Sequence, residues 1–144
     1  MKEQSYATHR RFVPVYHYWL TLLVVAALVG SLVNAYRAVD RGSGRIAAAV
    51  ILLLAVIALV EGLLLRTFAL KAQDRAIRIE ENLRHYVLHG SVLDPGLNTR
   101  QIIGLRFASD DEFSSLAKQA LDENLSENEI KKAVKQWRSD TYRV

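Results

Sequence analysis

The sequence predicts an all-α membrane protein: a two-helix transmembrane hairpin whose second span continues into a long cytoplasmic helix, followed by three short helices. Two apolar blocks predict the hairpin, because residues 12–36 contain no formally charged residue and residues 46–65 contain only Glu61. At about 1.5 Å per residue, each block is long enough to cross a hydrocarbon core of roughly 30 Å. Helix-forming composition and three capping signatures predict the remaining helices.

Charge and composition limit the function classes. The 144 residues carry a net charge of +4, and all of this excess lies in residues 1–66, with seven Lys/Arg and three Asp/Glu, against twelve of each in residues 67–144. The positive charge therefore flanks the spans, which favours membrane lipid and not nucleic acid as a partner. The chain has no cysteine, which excludes disulfides and Cys-based zinc sites, and it is too short for an enzyme-sized core beside a hairpin.

The predicted hairpin occupies residues 15–66, between a cytoplasmic segment 1–14 and a cytoplasmic helical domain 67–144. Its spans run from about 15 to 36 and from about 46 to 65, and a short polar turn containing Gly42 and Gly44 joins them. Three Lys/Arg lie in the turn and seven lie near the other ends of the spans. This asymmetry predicts that both termini are cytoplasmic.

The second span is predicted to continue without a break. No Gly or Pro interrupts residues 63–89, so we expect one helix of about 40 residues. The part beyond the span carries an apolar seam at steps of three, four or seven residues: Leu65, Phe68, Ala72, Ile79, Leu83 and Tyr86. Such a seam needs more cover than three short helices supply, so the sequence predicts a homo-oligomer.

Three short helices follow the turn at residues 94–96. Their predicted starts are the pairs Asn98 and Gln101, Ser109 and Glu112, and Ser126 and Glu129, in which the first side chain caps the helix and the second reaches back. Three apolar faces predict a small core: Ile102, Ile103, Leu105, Phe107, Phe113, Leu116, Ala117, Ala120, Leu121, Ile130, Ala133, Val134 and Trp137. The last helix, with four basic residues opposite its apolar face, is interpreted either as a solvated face over this core or as an amphipath on anionic lipid.

Glu61 is the main candidate functional residue, because an ionisable group inside a span is costly and suggests a function. In an antiparallel hairpin, His17, Tyr18 or Thr21 would lie at its depth and are candidate partners. One interpretation is a carboxyl group that is protonated or hydrogen-bonded across the hairpin near the membrane surface. The other is a ring of Glu61 side chains along a cation or proton path in an oligomer.

Other patterns point to packing more than to chemistry. Small residues four apart predict close helix contacts, either within the hairpin or between subunits, and the selected positions are Ala26, Gly30, Ala58 and Gly62. His85 and His89 share a helix face, but the spacing suggests no third ligand, so no metal is predicted. No phosphate loop, nucleophile elbow or metalloprotease motif occurs, and we predict no catalytic residues and no cofactor.

Several stretches resemble one bacterial family. They are residues 66–81, 105–110, 130–138 and 142–144, together with residues 14–17 at the start of the first span. Through them the chain resembles, over essentially its whole length, an uncharacterised family of short two-span bacterial membrane proteins catalogued as a domain of unknown function. The resemblance implies the bacterial inner membrane and supplies no catalytic or ligand residues.

Three functional hypotheses follow. The first is a membrane-anchored structural or assembly protein that self-associates through its spans and long helix, with a possible further protein partner. The second is a small channel or transporter subunit that uses Glu61, for which Glu61→Gln would abolish flux in liposomes without disturbing assembly. The third is an enzyme, which no convergent set of groups supports.

Overall fold

The computed structural model describes residues 5–8 and 13–140, and within them it is all-helical, with five α-helices and a π-helical segment. This confirms the predicted all-α fold and the order of its helices. The chain divides into two compact units: a hairpin unit (Phe12–Ala69) and a C-terminal unit (Leu70–Val144 with Met1–Arg11). Most of the predicted segment 1–14 and all of the closing residues 142–144 lie outside the described residues.

The hairpin unit contains two apolar helices. A π-helical segment, Val15–Leu20, leads directly into α1 (Thr21–Asp40), and α2 begins at Arg45 after a short turn. Gly42 and Gly44 adopt φ values of +67° and +73° in this turn, a region that residues with a Cβ rarely enter. Both helices, Val15–Asp40 and Arg45–His89, are long and apolar enough to cross a membrane.

Helix α2 spans Arg45–His89 without interruption, which confirms the predicted continuous helix. Its 45 residues belong partly to each unit. The helix ends where the Gly90 N–H donates to the Tyr86 carbonyl oxygen at 2.8 Å. A turn at Asp94, whose carboxylate accepts from the Gly96 N–H at 2.8 Å, then starts the path to the short helices.

Three short helices follow: α3 (Thr99–Leu105), α4 (Asp110–Asp122) and α5 (Glu127–Ala133). Each begins with the predicted capping box, at Asn98, Ser109 and Ser126. At the last box, hydrogen bonds from the Ser126 backbone and side chain hold the pKa of the Glu129 carboxyl below its usual range. Because the folded-state pKa is lowered, this capping contribution is present at neutral pH and is lost as the pH falls through the titration of the carboxyl.

The predicted core of the C-terminal unit is confirmed. Twelve buried residues form it, and four partly buried ones pack around them: Leu93, Leu97, Ile102, Leu105, Phe107, Ala108, Phe113, Leu116, Ala117, Ala120, Ile130 and Val134, with Leu121, Leu125, Ala133 and Trp137. Phe107, Phe113 and Ile130 are fully buried at its centre.

The last helix is shorter than the basic amphipath that the lipid-binding interpretation assumed. Helix α5 ends at Ala133, and the chain becomes extended at Val134, so no continuous helical face joins the four basic residues. Lys131 is buried and pairs with Glu127, four residues earlier. The chain beyond α5 instead pairs with residues 107–109, where the Arg138 N–H donates to the Phe107 carbonyl oxygen at 2.8 Å and the Ser109 N–H donates to that of Gln136 at 3.1 Å.

Candidate functional site

The hairpin packs through small residues spaced seven apart. In α1 the buried residues are Ser31 and Ala38, and in α2 Ala48 and Ala55 are buried. Small residues at this spacing let two helix backbones approach closely along a 3.5-residue period. Of the predicted positions, Ala26, Gly30 and Ala58 are exposed and Gly62 is partly buried, so the seven-residue spacing describes the buried positions better than the four-residue one.

Tyr16 connects the start of the first apolar helix to α2. Its hydroxyl donates to the Gly62 carbonyl oxygen at 2.9 Å, and the Arg66 guanidinium lies 5.3 Å from the centre of its ring. Gly62 also lines a shallow apolar groove of about 130 Å³. Aromatic and basic side chains of this kind are typical of the boundary between hydrocarbon and headgroups.

Two of the predicted partners of Glu61, His17 and Thr21, form hydrogen bonds with other residues. The His17 Nδ1 atom lies 3.0 Å from the Val13 carbonyl oxygen and 3.1 Å from the Val13 nitrogen, so this ring folds back on the π-helical segment. The Thr21 hydroxyl donates to the Tyr16 carbonyl oxygen at 3.4 Å. The hydrogen bond across the hairpin is thus made by Tyr16, and among the described residues Glu61 forms none with His17, Tyr18 or Thr21.

Glu61 points out of the hairpin. Its side chain is exposed, and within residues 5–8 and 13–140 it makes no hydrogen bond or ion pair. Its neighbours one turn away on the same helix face, Ile57 and Leu65, are exposed as well. An acidic group therefore lies in the middle of an uncovered apolar face.

The seam is uncovered along its length. All six of its residues are exposed: Leu65, Phe68, Ala72, Ile79, Leu83 and Tyr86. In the C-terminal unit, α2 instead buries Ile77 and Glu81, two residues from Ile79 and therefore on the opposite side of the helix. The short helices of this chain thus pack against a different face of α2 from the one that carries the seam.

The covered face of α2 in the C-terminal unit is charged. Arg84 bridges Glu81 at 3.0 Å and Asp110 at 2.6 Å, donates to the Ala108 carbonyl oxygen at 2.8 Å, and lies over the Phe113 ring at 4.2 Å. Glu81 is buried and also lies 3.6 Å from Arg138. These groups join α2 to the core of the C-terminal unit by ion pairs.

A polar cleft of about 230 Å³ lies beside these ion pairs. Glu81, Arg138, Arg106 and Asp140 contribute to its walls, and the last two form an ion pair at 3.2 Å. With Glu80, the walls carry three acidic and two basic groups. The ion pairs in this cleft join the extended chain after α5 to α2.

The His85 and His89 rings lie 4.8 Å apart, as their spacing predicts. The His85 Nδ1 atom is 2.6 Å from the Ser91 carbonyl oxygen, and its ring also contacts Phe113 at 5.9 Å. Across residues 5–8 and 13–140, no three His, Cys, Asp or Glu side chains are grouped to hold a metal ion. The pair therefore belongs to the end of α2 and its connection to the core.

Comparison with known proteins gives one result. A model of a family of unknown function, DUF6526, matches residues 1–144. Neither the curated proteins nor the solved structures yield a match. With the whole chain covered, the protein belongs to the DUF6526 family.

Proposed function

We propose that this protein is an integral membrane protein of structural or assembly type, which self-associates through its spans and its long helix and has no catalytic activity. The observation that carries the proposal is the exposed seam on α2. A large apolar face left uncovered by the rest of its chain marks an interaction surface. Its steps of three, four and seven residues follow the pattern with which helices pack side by side.

A second copy of the chain is the occupant that the seam favours. Ala72 lies near the middle of the seam, between bulky residues on either side, and a small residue there allows two identical helices to approach closely. Charged residues such as Arg78 and Glu80 border the seam, so the surface has the apolar centre and polar rim of an interface. The surface of the short helices remains available to a different protein partner.

The test is the mass of the purified protein in nanodiscs, compared between two matched variants. Leu83 and Val92 are both 61% exposed, but only Leu83 belongs to the seam. We expect Leu83→Glu to raise the dissociation constant of the oligomer at least about tenfold, because it places like charges opposite each other in the interface, whereas Val92→Glu leaves the mass unchanged. A monomeric native protein, or equal effects of the two variants, would contradict the proposal.

We further propose that the protein lies in a bacterial inner membrane with both termini in the cytoplasm. The support is the length and apolar character of the two helices, together with the excess of Lys/Arg outside the connecting turn. Because the chain has no cysteine, Ser43→Cys in the turn provides a single reactive thiol. It is expected to react with a membrane-impermeant maleimide in intact cells, and Ser91→Cys only after lysis. The opposite labelling pattern would indicate the reverse orientation of the chain in the membrane.

A further inference from the structure

Glu61 occupies a distinct place on the surface of the hairpin unit. Counting back along α2 in steps of four, three and four leads from Glu61 to Ile57, Leu54 and Val50, and counting forward by four leads to Leu65. Steps of this size keep residues on one face of a helix. The four apolar residues are all exposed. Glu61 is therefore the single ionisable group in an exposed apolar stripe along the second span.

The carboxyl group needs a partner that the described part of its own chain does not supply. Arg66 is the nearest basic residue in the sequence, but it lies about 140° around the helix from Glu61 and over the Tyr16 ring. His17 and Thr21 bond within the π-helical segment and its surroundings. Lipid tails offer neither donors nor acceptors, so an unpaired carboxyl group on this face is costly.

A second carboxyl group meets this need. A protonated carboxyl donates through its O–H and accepts through its other oxygen, so two such groups can satisfy each other. In a two-fold symmetric interface a residue on the axis meets its own copy. A stripe with one central Glu and apolar neighbours on both sides therefore complements itself.

We propose that Glu61 of one copy hydrogen-bonds to Glu61 of a second copy, where the α2 stripes of two hairpins meet inside the membrane. This inference rests on the proposed self-association and adds its partner group and register. The flanking residues Ile57 and Leu65 exclude water from the pair. Glu61 then fixes the register of the two helices, since any shift along the stripe would set each carboxyl group against an apolar side chain.

The stripe is tested first by disulfide cross-linking of single-cysteine variants of the otherwise cysteine-free chain, purified in nanodiscs. Leu65 and Leu63 are 68% and 62% exposed, but they are two residues apart and so face different sides of α2. Leu65→Cys is expected to form dimers on oxidation and Leu63→Cys is not. If Leu63→Cys cross-links to the same extent as Leu65→Cys, the stripe is not the contact between copies. The same conclusion follows if Leu65→Cys, in native membranes, cross-links only to other polypeptides.

The carboxyl pair is tested by Glu61→Leu and Glu61→Gln in the same nanodiscs. Neither change removes a contact within the described residues, and the Gln amide still donates and accepts. Glu61→Leu is expected to raise the dissociation constant about three- to thirtyfold, the range for a hydrogen bond between helices in a membrane. The dissociation constant of Glu61→Gln should stay within about threefold of that of the native protein. If Leu65→Cys cross-links but Glu61→Leu associates like the native protein, self-association stands and the inference falls. A native protein that is monomeric and forms no cross-links overturns both.

Discussion

Replacing Phe107 with Ala is expected to destabilise the C-terminal unit by about 3–5 kcal/mol. Phe107 is fully buried, and its ring lies 4.9 Å from that of Trp137. Truncation removes one of the two largest fully buried side chains and leaves a cavity in the core. A loss of this size is a large fraction of the stability of a small unit, which is typically about 5–15 kcal/mol in total.

Trp137 reports this unfolding directly. The chain has two tryptophans, and replacing Trp19, which lies in the hairpin unit, with Phe leaves Trp137 as the only indole. Urea unfolding of the nanodisc-embedded protein, followed by Trp137 fluorescence, should then move to a much lower midpoint in Phe107→Ala. Val92→Ala, a truncation at an exposed site of the same unit, is the control and should change the free energy by less than about 0.5 kcal/mol. Equal midpoints for the two variants would show that Phe107 is not central to the core.

Local signals in the sequence predicted the helix starts well. A capping box needs only two residues three positions apart, so Asn98, Ser109 and Ser126 could be recognised without knowledge of the rest of the fold. The continuous α2 followed in the same way from the lack of Gly and Pro. These features depend on backbone geometry that each segment fixes for itself.

Features that depend on tertiary contacts were predicted less well. The hairpin has small residues at both four- and seven-residue spacings, and only the packing of α1 on α2 selects Ser31 and Ala55 over Gly30 and Ala58. The end of α5 at Ala133 was missed because the apolar period continues to Trp137. That period is satisfied by an extended pairing with Ala108, which no local pattern encodes.

The candidate site likewise combines features that the sequence predicts with contacts that it does not predict. Periodicity along a single helix was enough to place Glu61 and Leu65 on one face of α2. The partner of Tyr16 is 46 residues away, so that hydrogen bond could not be read from spacing. The same is true of the bond between Arg84 and Ala108, which joins α2 to the segment before α4 across 24 residues.

Replacing Arg84 with Met is expected to destabilise the C-terminal unit by about 3–5 kcal/mol, the cost of breaking a buried ion pair by removing one partner. The side chains of Arg84 and Glu81 are 10% and 7% exposed, so water replaces little of the lost interaction. Met keeps most of the length of the side chain over the Phe113 ring. After this substitution Glu81 keeps its 3.6 Å contact with Arg138, whose side chain is more exposed.

Two variants separate the charge effect from a general loss of contacts. Arg100 forms an ion pair with Glu127 at 3.6 Å, but its side chain is 70% exposed. Arg100→Met should therefore cost less than about 1 kcal/mol. Adding Glu81→Gln to Arg84→Met should recover part of the lost stability, because the stranded carboxylate is then removed. If Glu81→Gln lowers the stability of Arg84→Met as much as it lowers that of the native protein, the two residues act independently. The burial of their charges is then not what joins α2 to the core.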